Sequence, residues 1–137
     1  NLGRLHRDGK GVSKDSKEAI KWFRLAAEQE DPEAQHELGL MYEYGEQAIK
    51  NYGTATKWYR LSAESGYKEA QYSLGMIYLR GNGTAKDYVQ AFKWFDISRQ
   101  MGCLDGLWQR DQVKKEMTAD QISEAERLAE EWMEQKQ

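Results

Sequence analysis

The stretch AQHELGLMYEYGEQAIKNYGTATKWYRLSAESGYKE, Ala34–Glu69, decides the fold. It is 36 residues long, and its key positions recur at that spacing on both sides. Trp58 has copies at Trp22 and Trp94. Leu38-Gly39 returns as Leu2-Gly3 and Leu74-Gly75, and Tyr42 aligns with His6 and Tyr78. Gly45 aligns with Gly9 and Gly81, and Asn51 with Asp15 and Asp87. Ala55 aligns with Ala19 and Ala91, Lys57 with Lys21 and Lys93, and Tyr59 with Phe23 and Phe95. A fixed period of this length is the signature of a helical repeat array.

Each unit reads as two helices. In the middle copy, helix A runs from about Glu33 to Tyr44, with Ala34, Leu38, Met41 and Tyr42 at helical spacing. Asp31 and Pro32 start it, one as cap and the other at the first helical position. Helix B runs from about Gly53 to Ser65, with Ala55, Trp58, Tyr59, Ser62 and Ala63 as its inner stripe. Gly66 stands just past its end, where a left-handed residue is favoured. Gly inside a helix costs roughly 1 kcal/mol against Ala. Gly3, Gly39 and Gly75 are therefore expected to serve close packing: helix B comes near, with the Trp ring over the gap.

Two columns break. Glu30 takes the place of Gly66 and Gly102, which predicts a strained turn. The inter-helix loop Gly81-Asn82-Gly83-Thr84 repeats Gly9-Lys10-Gly11-Val12, whereas the middle copy reads Gly45-Glu46-Gln47-Ala48 and should take another path. Asn82-Gly83-Thr84 is formally a glycosylation sequon, but Asn-Gly also simply suits the turn.

These columns resemble the Sel-1-like repeat family, relatives of the tetratricopeptide repeat. The third unit carries the pattern as Ala70, Leu74, Gly75, Tyr78, Gly81, Gly83, Asp87, Ala91, Trp94 and Gly102. The first carries it as Leu2, Gly3, Gly9, Gly11, Val12, Asp15, Ala19, Trp22, Ala26 and Ala27. The resemblance implies an all-α superhelix, an antiparallel helix-pair solenoid. Its expected divisions are a first repeat over 1–32 with helix A truncated, then repeats over 33–68 and 69–104. A partial helix A over 105–116 and a capping helix over 117–137 complete it. In the partial helix, Arg110 and Asp111 replace the Leu-Gly pair.

The last segment resembles the terminal helix of bacterial members of the family. Thr118 and Gln121 form a capping box, and Ile122, Ala125, Leu128, Ala129 and Trp132 make one apolar stripe. Its six acids against Arg127 and Lys136 give −4 of the chain's net −3, leaving the rest near +1. No basic stripe for nucleic acid exists, and no apolar run reaches membrane-span length. A chain opening on Asn1 inside a helix A reads as processed or excised, with an uncapped N-terminal edge. Cytoplasm and periplasm are both compatible with it.

Chemistry is sparse. His6 and His36 are the only histidines, in no cluster at metal-ligand spacing, so no metal or other cofactor is expected. Cys103 is the single cysteine and reads as a packing residue. Ser65-Gly66-Tyr67-Lys68 matches Ser-x-x-Lys of penicillin-interacting enzymes, without companion motifs and on a helix-ending turn.

The functional signal lies where columns fail to repeat. In tetratricopeptide-like arrays helix A lines the concave face, and its variable positions meet the ligand. The resemblance carries this to Arg4 and Arg7 in the first unit, then to His36, Glu37, Leu40, Glu43 and Tyr44 in the second. It carries it to Tyr72, Ser73, Met76, Leu79 and Arg80 in the third, and finally to Trp108 and Gln112. Aromatic and Met anchors flanked by charges suit a bound peptide or protein segment. The expectation is a non-enzymatic adaptor; the alternative is an oligomerisation module that self-associates through its N-terminal edge.

Overall fold

In the computed structural model, residues 13–45 and 50–136 are described, with side chains from Lys17 onward. Seven helices follow one another among those residues: α1 Ser13–Glu28, α2 Pro32–Tyr44, α3 Tyr52–Glu64, α4 Lys68–Arg80, α5 Tyr88–Gln100, α6 Leu104–Lys114 and α7 Ala119–Gln135. Local chemistry sets their ends. Asp31, Asn51 and Asp87 each accept a hydrogen bond from a first-turn N–H of α2, α3 and α5. The Asn51 and Asp87 N–H groups also donate to the carbonyls of Tyr42 and Tyr78, at 2.8 and 2.9 Å, so the same bond closes both inter-helix loops.

The turns that end α1, α3 and α5 hold Glu30, Gly66 and Gly102 at φ 65°, 97° and 108°. Glu30 is thus a side-chain-bearing residue in the left-handed region, as its column implied. The middle inter-helix corner also differs: Gly45 is extended, at φ −75° and ψ −176°, where Gly81 is left-handed at φ 75°. Glu46, Gln47 and Ala48 lie outside the described residues, as do Arg4, His6 and Arg7.

Helix A of each unit packs on its own helix B, α2 on α3 and α4 on α5, and each helix B packs on the next helix A. The glycines make the first contact possible, but the ring over the gap is not the tryptophan. A methyl group at Gly39 would stand 2.5 Å from the Tyr59 ring, and one at Gly75 would stand 2.6 Å from Phe95. The aromatic after each Trp therefore fills the groove. One residue turns a helix by about 100°, so the Trp side chain is carried off this contact.

The tryptophan column is accordingly not uniform core. Trp94 is 2% exposed and Trp22 44% exposed, with Trp58 between them. What separates them is α7. This helix packs along α5 and makes almost no contact with α6, its neighbour in sequence. Ala125 and Ala129 are buried, and the Trp132 ring meets Trp94 edge-on at 5.8 Å between centroids. The Trp132 indole N–H donates to Glu64 at 2.7 Å, tying α7 to the last turn of α3. The Thr118–Gln121 capping box forms as the sequence indicated.

A polar ladder joins the units. The Gln35 and Gln71 amides donate to the carbonyls of Ala27 and Ala63, both at 3.2 Å. The Ser62 and Ser98 hydroxyls donate to the carbonyls of Pro32 and Lys68 at 2.6 and 3.1 Å. Arg24 and Arg60 donate to the hydroxyls of Tyr42 and Tyr78 at 2.7 and 2.8 Å. Each bond recurs 36 residues on, so the repeat fixes the angle between units as well as the core within them.

Candidate interaction surface

Helices α2, α4 and α6 occupy equivalent places in successive units, and side chains bridge them. His36 Nε2 lies 3.1 Å from Ser73 Oγ. The Gln109 amide donates to the Tyr72 hydroxyl at 3.2 Å. Arg80 Nη1 reaches the Tyr44 hydroxyl at 3.4 Å and Glu43 Oε2 at 3.9 Å. These contacts bring His36, Glu43, Tyr44, Tyr72, Ser73 and Arg80 to the seams between successive A helices.

The residues singled out from the sequence then separate into three layers. His36, Glu37 and Glu43 are buried. The His36 ring is tilted between Tyr59 and Tyr67, with centroids 5.6 and 5.5 Å away. Glu43 accepts a 2.6 Å hydrogen bond from the Tyr59 hydroxyl. Burial and that carboxylate hold the Tyr59 phenol well above its ordinary pKa. Leu40, Tyr72 and Met76 are half-buried against the main core, as are Ser73, Leu79 and Gln112. Tyr44, Arg80 and Trp108 stand out from it, Tyr44 65% and Trp108 61% exposed. The bond to Tyr44 raises the Arg80 pKa, burial lowers it, and Glu43 adds to the rise. The arginine therefore stays a cation beside Tyr44, Tyr72 and Glu43. Arg4, the remaining candidate, lies outside the described residues.

Sequence reasoning missed one buried charge cluster. Asp96 accepts from Arg99 and Gln100 on α5 at 2.9 Å each, and from Arg110 on α6 at 2.8 Å. Burial works to lower the Arg110 pKa, but its bonds to Asp96 and Asp111 outweigh that and raise it. The signal was present in the columns. Asp96 replaces the Arg24/Arg60 column and Arg110 the Leu38/Leu74 column, two departures of opposite sign that meet. The pair holds α6 on α5 although the Leu-Gly pair is gone. A methyl at Gly106 would stand 2.6 Å from the Phe95 carbonyl oxygen, so the two helices are close.

The other candidates are placed simply. The Ser65 hydroxyl donates to the Leu61 carbonyl at 3.0 Å, closing the end of α3. Cys103 is half-buried at the start of α6. Among the described residues no group of three or more His, Cys, Asp or Glu side chains converges as a metal site, and no helix is long and apolar enough to cross a membrane.

Helix pairs repeated at 36 residues, with α3 and α5 each bridging two A helices, define an α-helical repeat solenoid. The chain belongs to the Sel1 repeat family: the family model matches residues 1–31, 32–67 and 68–103. Among solved structures it is similar to a protective antigen of uropathogenic Escherichia coli with an SLR fold. The TM-score there is 0.90 at 37% identity, over 98% of this chain and 29% of that one. It is also similar to a Sel1 repeat protein from Oxalobacter formigenes, with a TM-score of 0.68 at 37% identity, over 77% of this chain and 43% of that one. The chain thus spans less than half the length of either structure. A comparison with curated proteins found no match.

Proposed function

We propose that this chain is a non-enzymatic adaptor that holds a peptide or protein segment against the face formed by α2, α4 and α6. Sel1 repeats are in general protein–protein interaction modules, and the site proposed here is a specific form of that role. The observation that carries it is the layering just described. Buried His36 and Glu43 and half-buried Leu40, Tyr72 and Met76 form a held floor, while Tyr44, Arg80 and Trp108 project from it. Arg4 extends the same register into the first unit by its column. Rigid aromatic and Arg anchors over a pre-organised apolar floor lose little conformational freedom on binding, which favours affinity.

The test is selection of peptides from a random library on the intact chain, followed by affinity measurement with Tyr44→Ala, Arg80→Ala and Trp108→Ala combined. Loss of at least about tenfold in affinity at unchanged solution mass is expected, since truncated anchors typically cost that much or more. Undiminished binding would remove this face from consideration. A dimer dissolved by changes at the N-terminal edge, with peptide binding intact, would favour self-association there instead.

A further inference from the structure

The outward sides of α1, α3 and α5 carry the same columns three times, and among the described residues only the last is covered by another helix. On α5, α7 lies over Trp94 and Ile97, and both are buried. The equivalent Leu61 is 44% exposed and Leu25 52% exposed. A groove of about 370 Å³ runs along α3 between Lys57, Arg60, Leu61 and the Gly83-Thr84 turn of the next unit. Its counterpart of about 290 Å³ on α1 is lined by Lys17, Ile20, Lys21, Arg24, Leu25 and Glu28. These two grooves lie 36 residues apart in sequence and are lined by equivalent columns, Lys57, Arg60 and Leu61 matching Lys21, Arg24 and Leu25.

The structure itself displays what such a surface accepts. The occupant on α5 is an amphipathic helix with small Ala125 and Ala129 at the contact, Trp132 set edge-on against the column tryptophan, and six acids over residues 117–137. The open stripe has the matching features: apolar Trp22, Leu25 and Leu61, bordered by Lys21, Lys57 and Arg60. Its own acids are Glu18 and Glu28 on α1, and Glu64, which is already engaged by Trp132; against them stand Lys17, Lys21, Arg24, Lys57 and Arg60. An acidic helix therefore meets cations where it meets open apolar area, and complementary charge favours encounter and orientation.

We propose that the outward stripe of α1 and α3 docks an acidic amphipathic helix of a partner protein, one with the chemistry of α7: a Trp and small residues on one side, carboxylates on the flanks. This surface is separate from the α2, α4 and α6 face and does not depend on it.

A labelled peptide of residues 117–137, acting as a defined probe for that chemistry, is titrated into the intact chain. Saturable binding is expected. It should weaken at least about tenfold in Leu25→Asp/Leu61→Asp, as for loss of central apolar contacts. It should weaken again in Lys21→Glu/Lys57→Glu and with added salt, because rim charges are screened within about 10 Å at 0.1 M. A Trp132→Ala peptide should bind poorly. The substituted residues are exposed, and an unchanged melting temperature verifies the fold of each variant. Absence of binding would overturn the proposal. So would binding that survives Leu25→Asp/Leu61→Asp, which would mean exchange with α7 on α5. An intact-chain dimer dissolved by these substitutions, without peptide binding, would likewise overturn it and assign the stripe to a second copy.

Discussion

Helices α3 and α5 hold the same columns and live in different surroundings. On the inner side, Tyr59 of α3 bonds to buried Glu43, while the same two columns in the next unit hold Phe95 and Leu79, whose side chains carry no polar atom. On the outer side, Trp58 and Leu61 are partly open, while Trp94 and Ile97 lie under α7. The first difference is written in the residues themselves. The second is imposed by a helix that returns from elsewhere in the chain. A column in a repeat therefore specifies a direction, and its burial depends on what arrives there.

The largest effect should come from the outer side. Trp94→Ala removes a ring packed on Trp132 and should cost about 3–5 kcal/mol, the usual range for buried Trp to Ala. Trp22→Ala, at the equivalent exposed position, should cost less than about 1 kcal/mol. Urea unfolding of both variants measures the gap; equal losses would show that the outer side of α1 is as covered as that of α5.

The inner side should give the next effect. Tyr59→Phe strips buried Glu43 of its donor and should cost about 1–3 kcal/mol. Adding Glu43→Leu turns the pair into a copy of Phe95 and Leu79 and should recover most of that. A double-mutant cycle with no coupling would deny that the two side chains act as a unit.

At the turns, Glu30→Gly should raise stability by about 1 kcal/mol, because it relieves a left-handed residue and Gly pays some of that back in unfolded-chain entropy. An unchanged or lower melting temperature would show that the turn after α1 is relaxed with Glu in place.

The smallest effect is in pH. The Tyr59 pKa is raised in the folded chain above its ordinary 10.0. Above pH 10 the unfolded chain therefore loses this proton while the folded chain keeps it. Stability should fall as pH rises past that value, and the fall should be shallower in Tyr59→Phe. Parallel curves for the two proteins would separate the phenol from the alkaline loss.

Much of the fold was legible in the chain. The 36-residue period, the Asp and Asn caps, the Gly at turns and the Thr118–Gln121 box all act over a few residues, so sequence distance stands in for spatial distance. At Gly39 and Gly75 the Leu-Gly column marks a close approach, as expected, but to the aromatic after the Trp and not to the Trp itself, and Gly3 lies outside the described residues. Trp and the next aromatic differ by one position, and which one enters the groove depends on the rotation of helix B against helix A. The variable helix-A positions were likewise legible as a set, but not their layering. His36 and Glu43 looked like surface residues because their burial comes from Tyr59, Tyr67 and Ser73 on other helices.

By itself, then, the sequence determined the number and order of helix pairs and the register between them, because local caps and a repeated apolar pattern are enough to specify both. It also contained the oppositely charged departures Asp96 and Arg110, which could be paired by noting that each breaks its own column. Only the tertiary structure decided that α7 lies along α5 and not on α6, that Trp94 is core while Trp22 is open, and that among the described residues no helix covers the outward sides of α1 and α3 as α7 covers that of α5. The physical reason is that burial is a property of the neighbours a residue meets, and those neighbours are set by how a distant amphipathic helix finds the largest matching apolar area.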